Sequence, residues 1–191
     1  MSARPAGPRP LPDAPGPADG VTDVRDPAHL RRAFGAFATG ITVVTAGGPA
    51  PRGMTANSFT TVSLDPPLVL VCVNREAVMH QVLTEAGHFG VSLLGAGQES
   101  VARHFADRSR PAGLGQFTEG TWRPGPVTGA PLLADALAHF ECAPWRQYDG
   151  GDHTVFLGEV LAMRRRGGRD ALLYVDGRFR ALAPGRAEAA A

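Results

Sequence analysis

Short side chains that carry a hydroxyl or an amide crowd one stretch of the sequence, GMTANSFTTVSLDPP at residues 53–67. Thr55, Asn57, Ser58, Thr60, Thr61 and Ser63 stand there, directly ahead of the apolar run Leu68 to Val73. Side chains this small leave backbone N–H and C=O groups accessible and add donors and acceptors of their own, which suits the edge of a planar heteroaromatic ligand. The same residue types also make turns, and Asp65-Pro66-Pro67 ends strands, so spacing alone leaves both readings open.

Other chemistries find less support. His29, His80, His88, His104, His139 and His153 are scattered, and His139 and Cys142, three apart on an expected strand, point to opposite faces, so no metal site is expected. There is no GxSxG elbow for a hydrolytic serine, and Cys72 and Cys142 lie among apolar residues without a CxxC pair, which reads as two buried free thiols. All 19 basic residues are arginine. The absence of lysine removes a P-loop lysine, a Schiff-base lysine and a lysine general base together.

The elements that must position any site follow from periodicity. The 191 residues suffice for one domain with a sizeable core, and a net charge of +1 gives no electrostatic reason to expect nucleic acid or an anionic membrane surface. The longest apolar run is far too short to span a bilayer, and the N-terminus lacks a signal pattern, so a cytoplasmic protein is expected. Residues 1–24, rich in Pro, Gly and Ala, read as a flexible tail, residues 25–183 as the domain, and residues 184–191 as a disordered C-terminal tail.

Asp26-Pro27 offers a cap and a first-turn proline for a helix carrying Leu30, Phe34 and Phe37 as far as Gly40. From Ile41 the period changes to two. ITVVT, SFTTVSL, the continuous run PLVLVCV and FGVSLL read as strands, PLVLVCV as one buried on both faces. REAVMHQVLTEAG and QESVARHFAD read as helices, the latter with Val101 and Phe105 inward, and residues 108–129 as loop. Two long strands then flank the Gly-rich turn before His153, and LLYVDGRFRAL is a hairpin with Asp176-Gly177 at its tip. Many strands with few helices and no regular βαβ alternation predict a mainly β fold, an antiparallel barrel or sandwich with attached helices. GLGQFTEG at 113–120 lacks the third glycine and the preceding strand that a dinucleotide fingerprint requires.

FATGITVVT, GMTANSFTTVSLDPPLVLVCVNR, FGVSLL, the Gln98 ahead of ARHFAD, HFEC, GDHTVFLGEV and LLYVDGRFRAL follow one another in an order and spacing that resembles the flavin reductase-like, FMN-binding split-barrel family. In particular they look like the reductase components of two-component flavin-dependent monooxygenases. The resemblance runs from about Leu30 to Leu182. It implies an antiparallel split β-barrel, a homodimer, and flavin held near the subunit interface. By position, Thr55, Ala56, Asn57 and Ser58 would follow the flavin ring edge and ribityl chain, with Thr60 and Thr61 nearby. Val73, Asn74 and Arg75 would lead toward the phosphate, where Arg75 can offer a fork of donors, and Phe105 and Ala106 would close the far end. His153, with Asp152 in the same GDH turn, matches a histidine placed beside the nicotinamide or flavin.

The implied activity is hydride transfer from NADH or NADPH to FMN or FAD, with reduced flavin passing by diffusion to a separate monooxygenase. Proximity is the protein's main contribution, because hydride passes directly from nicotinamide C4 to flavin N5. Ala77 and Met79 stand where relatives carry hydroxyls near the phosphate, and His80 is the donor nearby that could replace them. Phe179 stands where tyrosine is expected. The alternatives are a flavin-binding electron carrier of the same fold without efficient nicotinamide chemistry, and a self-contained flavin-dependent oxidase.

Overall fold

The computed structural model describes residues 24–167 and 169–182, so the expected tails fall outside the described residues apart from Val24. Helix α1, Pro27–Gly35, starts where Asp26 Oδ1 accepts from Ala28 N at 2.8 Å. It ends before the expected Gly40, because the chain there is already pairing as β1, Thr39–Gly40. Strands β2 (Thr42–Ala46), β3 (Arg52–Ala56), β4 (Thr60–Leu64) and β5 (Pro67–Asn74) follow, then α2 (Val78–Glu85), β6 (Phe89–Leu93) and α3 (Glu99–Ala106). The segment expected as loop carries a short turn of 3-10 helix, Gly113–Gln116, and β7, Trp122–Pro124, which pairs with β8, Pro131–Leu133. Strands β9 (Ala138–Gly150) and β10 (His153–Arg165) are the two long strands expected. The chain closes with β11, Leu172–Val175, and β12, Arg178–Ala181, whose turn places Asp176 and Gly177 at φ 49° and 72°. Two successive positive φ values are what a two-residue hairpin of this hand requires.

Seven strands form one antiparallel sheet in the order β3-β2-β6-β9-β10-β5-β4. The first and last members, β3 and β4, do not pair with each other, so the sheet curls into a barrel that stays open between them.

Two cores lie on either side of β2. Period-two alternation sends Val44 and Ala46 into the barrel with Val71, Val91 and Phe156, and sends Val43 outward, with Ile41 ahead of the strand, against Val101, Phe105 and Leu172. Val101 and Phe105 of α3 face inward as their helical spacing predicts. Strand β5 departs from its expectation. Val69, Val71 and Val73 are buried inside the barrel, but Leu70, Cys72 and Asn74 on its other face are only half-buried, because a cleft opens over that face. Both cysteines are free, Cys142 buried and Cys72 half-buried.

Candidate functional site

The cleft forms where the barrel is open. Strand β3 is an edge strand, paired with β2 on one side alone, and an unpaired edge presents N–H and C=O groups that need partners. Side chains replace the missing strand along part of it. Gln116, fully buried, accepts from Gly53 N at 2.9 Å through Oε1 and donates to Pro51 O at 2.8 Å and Gly113 O at 2.9 Å through Nε2. Arg110 donates to Gly53 O and to Asp107 O, and its guanidinium lies over the Phe105 ring at 5.6 Å. A Cβ on Gly53 would stand 2.6 Å from Phe105 Cε1, so the ring's approach requires glycine there.

These side chains stop at Gly53. Because Gly53 points its amide and carbonyl away from β2, alternation points those of Thr55 toward the same open edge, now facing the cleft. Two of the hydroxyls that stand out in the sequence are spent internally. Thr55 Oγ1 donates to Ala102 O at 2.7 Å, and Ser58 Oγ donates to Cys72 O at 2.9 Å while accepting from Cys72 N at 3.0 Å. A hydroxyl has one proton, so toward a ligand both can only accept. Exposed Asn57 keeps its whole amide free, and Asn74, whose Oδ1 accepts from Glu76 N at 2.8 Å, keeps its NH2. Two hydroxyls of this stretch thus tie it to α3 and β5, while the Asn57 amide has no partner among the described residues.

The cleft encloses about 360 Å³. Of the expected binding residues, Thr55, Ala56, Asn57, Ser58, Asn74, Phe105, Ala106 and His153 line it together. A second hollow of about 510 Å³ shares Thr55, Asn57 and Ala106 as a common wall and is closed by Tyr174 and Phe179 of the last hairpin. Both volumes lie in the range of nucleotide-sized sites.

The other expected residues are placed elsewhere. Thr60 and Thr61 lie exposed on β4, and the side chain of Val73 is in the barrel core. His80 turns its Nε2 to Thr154 Oγ1 at 2.8 Å and its ring edge to Phe156. Arg75 pairs with Asp149 at 2.8 Å, and its backbone N–H donates to Asp152 O at 3.0 Å. It thus pins the turn that carries His153 and does not reach into the cleft. Asp152 is exposed and accepts from His153 Nδ1 at 2.7 Å, which holds the ring by one nitrogen and leaves Nε2 for the cleft. That hydrogen bond, with the ring's charge, keeps the Asp152 carboxyl below the usual carboxylate range; Gly151 N–H and then Arg75 do the same for Asp149.

Sequence reasoning missed the charge at this site. Arg52, Arg108 and Arg110 line the cleft against one carboxylate, Glu76. Burial, and next the charge of Arg52, push the Arg110 guanidinium below its usual value. Cys72 was read as a core thiol but lines the cleft, and burial raises its pKa. Among the described residues no three His, Cys, Asp or Glu side chains gather to hold a metal, and no helix is long and apolar enough to cross a membrane.

The model of the flavin reductase like domain matches residues 34–183 of this sequence. The chain belongs to the flavin reductase-like family. It is 59% identical over 164 residues to an NADH-dependent FAD reductase of Streptomyces globisporus, a match covering 86% of this chain and 90% of that one. Among solved structures it is similar to the NADH:FAD oxidoreductase of the same organism in complex with NAD and FAD fragments, with a TM-score of 0.82 and 57% identity over 86% of this chain and 97% of the other. It is also similar to the flavin reductase component of a bacterial two-component tryptophan halogenase, with a TM-score of 0.80 and 56% identity over 84% and 100% of the two chains. The split-barrel architecture is that of these flavin reductase-like structures.

Proposed function

We propose that the cleft along β3 seats the flavin of an NAD(P)H-dependent flavin reductase. The chain takes hydride from NADH or NADPH onto FMN or FAD and supplies the reduced flavin. One observation carries the seat: the Thr55 backbone edge, the free Asn57 amide and the His153 ring converge on one hollow, with a second hollow on the other side of a shared wall. A flavin has a hydrogen-bonding edge and a flat face, and bound there it would accept hydride at its ring nitrogen from a stacked dihydronicotinamide.

The residues fit such a group. Asn57 can donate to and accept from a ring edge, Thr55 adds an N–H and a C=O, and the Thr55 and Ser58 hydroxyls add acceptors for ribityl protons. His153, steadied through Asp152, borders the cleft from the β9–β10 turn and positions the incoming nicotinamide. The protein's work is to bring two flat rings together and keep them aligned.

The reduced flavin serves a separate monooxygenase, in line with the kinship to the halogenase reductase component. The active form is a homodimer. Large apolar side chains at Phe34, Phe37, Leu64 and Met163 are 70%, 77%, 96% and 67% exposed, and a second copy would cover them. Anaerobic titration with NADH and NADPH in the presence of FMN and of FAD tests the activity: nicotinamide oxidation is expected, and none with either flavin overturns the assignment. Light scattering after size-exclusion chromatography tests the dimer, and a monomeric mass overturns it.

A further inference from the structure

We infer that Gln116 and His104, neither of which lines the cleft or the hollow beside it, are positioning residues for hydride transfer that lock the two cleft walls, β3 and α3, to each other. The inference rests on the reading of the cleft as the flavin seat and adds which side chains set its geometry from behind.

Pairing with β2 sets the register of β3 but holds only one of its edges, and at Gly53 the strand has no side chain to steady it. Gln116 removes that freedom. It is fully buried, its Oε1 accepts from Gly53 N, and both Nε2 protons are donated, to Pro51 O and Gly113 O. The Gln116 carbonyl in turn lies 2.6 Å from His104 Nε2, and since a carbonyl only accepts, the ring carries a proton on that nitrogen. His104 meets Phe105 edge to face, with centroids 5.0 Å apart, and Phe105 packs back against Gly53. The circuit from Gly53 through Gln116, His104 and Phe105 is closed. Thr55 Oγ1, donating to Ala102 O, ties the same strand to the same helix a second time.

The cleft residues Thr55, Phe105 and Ala106 sit on the two elements joined in this way. Strand rise puts the Thr55 backbone groups about 7 Å beyond those of Gly53, so a tilt at Gly53 is carried to the atoms that would face the flavin edge. A buried polar network whose members are all satisfied is rigid, and transfer between two stacked rings falls steeply when they are misaligned.

Three variants probe the circuit. Gln116→Met keeps the side-chain length and removes its hydrogen bonds, His104→Leu removes the donor to Gln116 O, and His104→Gln returns an amide N–H near the place of Nε2. Glu141→Ala, which loses buried hydrogen bonds outside the cleft, reports what lost stability alone does. Unfolding midpoints set a temperature at which each chain is folded. There, fluorescence quenching gives dissociation constants for riboflavin and FMN, and anaerobic stopped flow gives the rate of flavin reduction by NADH. Gln116→Met and His104→Leu should weaken both flavins alike by about fivefold and slow reduction at saturating flavin and NADH by about tenfold. The NADH concentration giving half the maximal rate should stay within about twofold. His104→Gln should recover affinity and rate to within about threefold of the wild type, and Glu141→Ala should change neither by more than about twofold. If Gln116→Met does not fold, the two His104 variants decide. Wild-type affinity and rate in His104→Leu, equal losses in His104→Leu and His104→Gln, or the same losses in Glu141→Ala would each overturn the positioning role and leave the flavin seat standing. Failure of the wild type to bind any flavin would overturn both.

Discussion

Two hollows in this molecule enclose similar volumes and do different things with their polar atoms. The cleft beside β3 measures about 360 Å³; the hollow at the open end of the β9–β10 hairpin, against β7 and β8, measures about 470 Å³. In the larger one the buried polar groups are engaged within the protein, and the guanidinium groups without a partner among the described residues, Arg123 and Arg164, are exposed. Glu141, buried, accepts through Oε2 from Val127 N at 3.0 Å, Thr128 N at 2.7 Å and Thr128 Oγ1 at 2.8 Å. His139 bonds Leu133 O, and Arg166 pairs with Asp135. In the smaller one, two guanidinium atoms, the Asn57 amide and one face of His153 are unspent. The smaller space is the one proposed above as the flavin seat. Unspent hydrogen-bonding capacity among buried atoms separates them where volume does not.

The contrast predicts a crossing of phenotypes. Glu141→Ala should cost about 2 kcal/mol by stripping partners from the 127–128 turn, seen as a lower unfolding midpoint, with FMN affinity within about twofold of wild type. Loss of FMN binding at unchanged stability would erase the distinction. His153→Ala should do the reverse: kcat/KM for NADH falls about tenfold, or roughly 1.4 kcal/mol, while the FMN dissociation constant and the midpoint hardly move. Unchanged steady-state kinetics would remove His153 from the site.

The two thiols sharpen the comparison, since Cys72 lines the cleft and Cys142 is packed in the barrel core. Cys142, beside Glu141 in the chain, is pushed up to about 12 by burial and then by that carboxylate's charge, whereas Cys72 is raised by burial alone. At pH 8 an alkylating reagent should label Cys72 slowly, less so with FMN present, and should reach Cys142 only when the protein unfolds. Mass spectrometry that finds Cys72 equally labelled with and without FMN would place the flavin elsewhere.

The smallest effect concerns the His153 turn. Asp149 and Asp152 titrate below the ordinary carboxylate value in the folded chain, so their contribution is present above that value and lost as pH falls through the lowered ones, below about pH 4. Both are fully exposed, so the acid limb of the unfolding curve should shift only slightly in the Asp149→Asn, Asp152→Asn double variant. A large shift would mean that the turn supports more of the fold than its exposure implies.

Much of the fold was legible because it is written in local periodicity. The strand at 67–74, though not its burial on both faces, the long hairpin, the cap at Asp26 and the Asp176-Gly177 tip appear as expected. The short strands β1, β7 and β8 did not, because two or three residues carry no period, and their partners lie far away or across a loop. At the site, the small-residue stretch was readable, yet which atoms it leaves for a ligand was not. That depends on Ala102 and Cys72 claiming two hydroxyls from other elements. The arginines were missed for the same reason. In sequence, Arg108 and Arg110 are two charges in a loop, and only the packing of α3 and the Gly113–Gln116 turn against the β3 edge carries them to the cleft. Arg75, expected to lead toward the phosphate, forms an exposed ion pair with Asp149, a partner that sequence spacing does not reveal.

At Gly53, strand β3 takes its edge hydrogen bonds from Gln116 and Arg110, two side chains of one surface loop, instead of from another strand. Such an attachment is a socket. A different segment of matching length, supplying one amide and one guanidinium at the same two backbone contacts, would seat without disturbing any pairing among the seven strands. Exchange of residues 107–117 between relatives is thus a route to new cofactor preference on an unaltered scaffold.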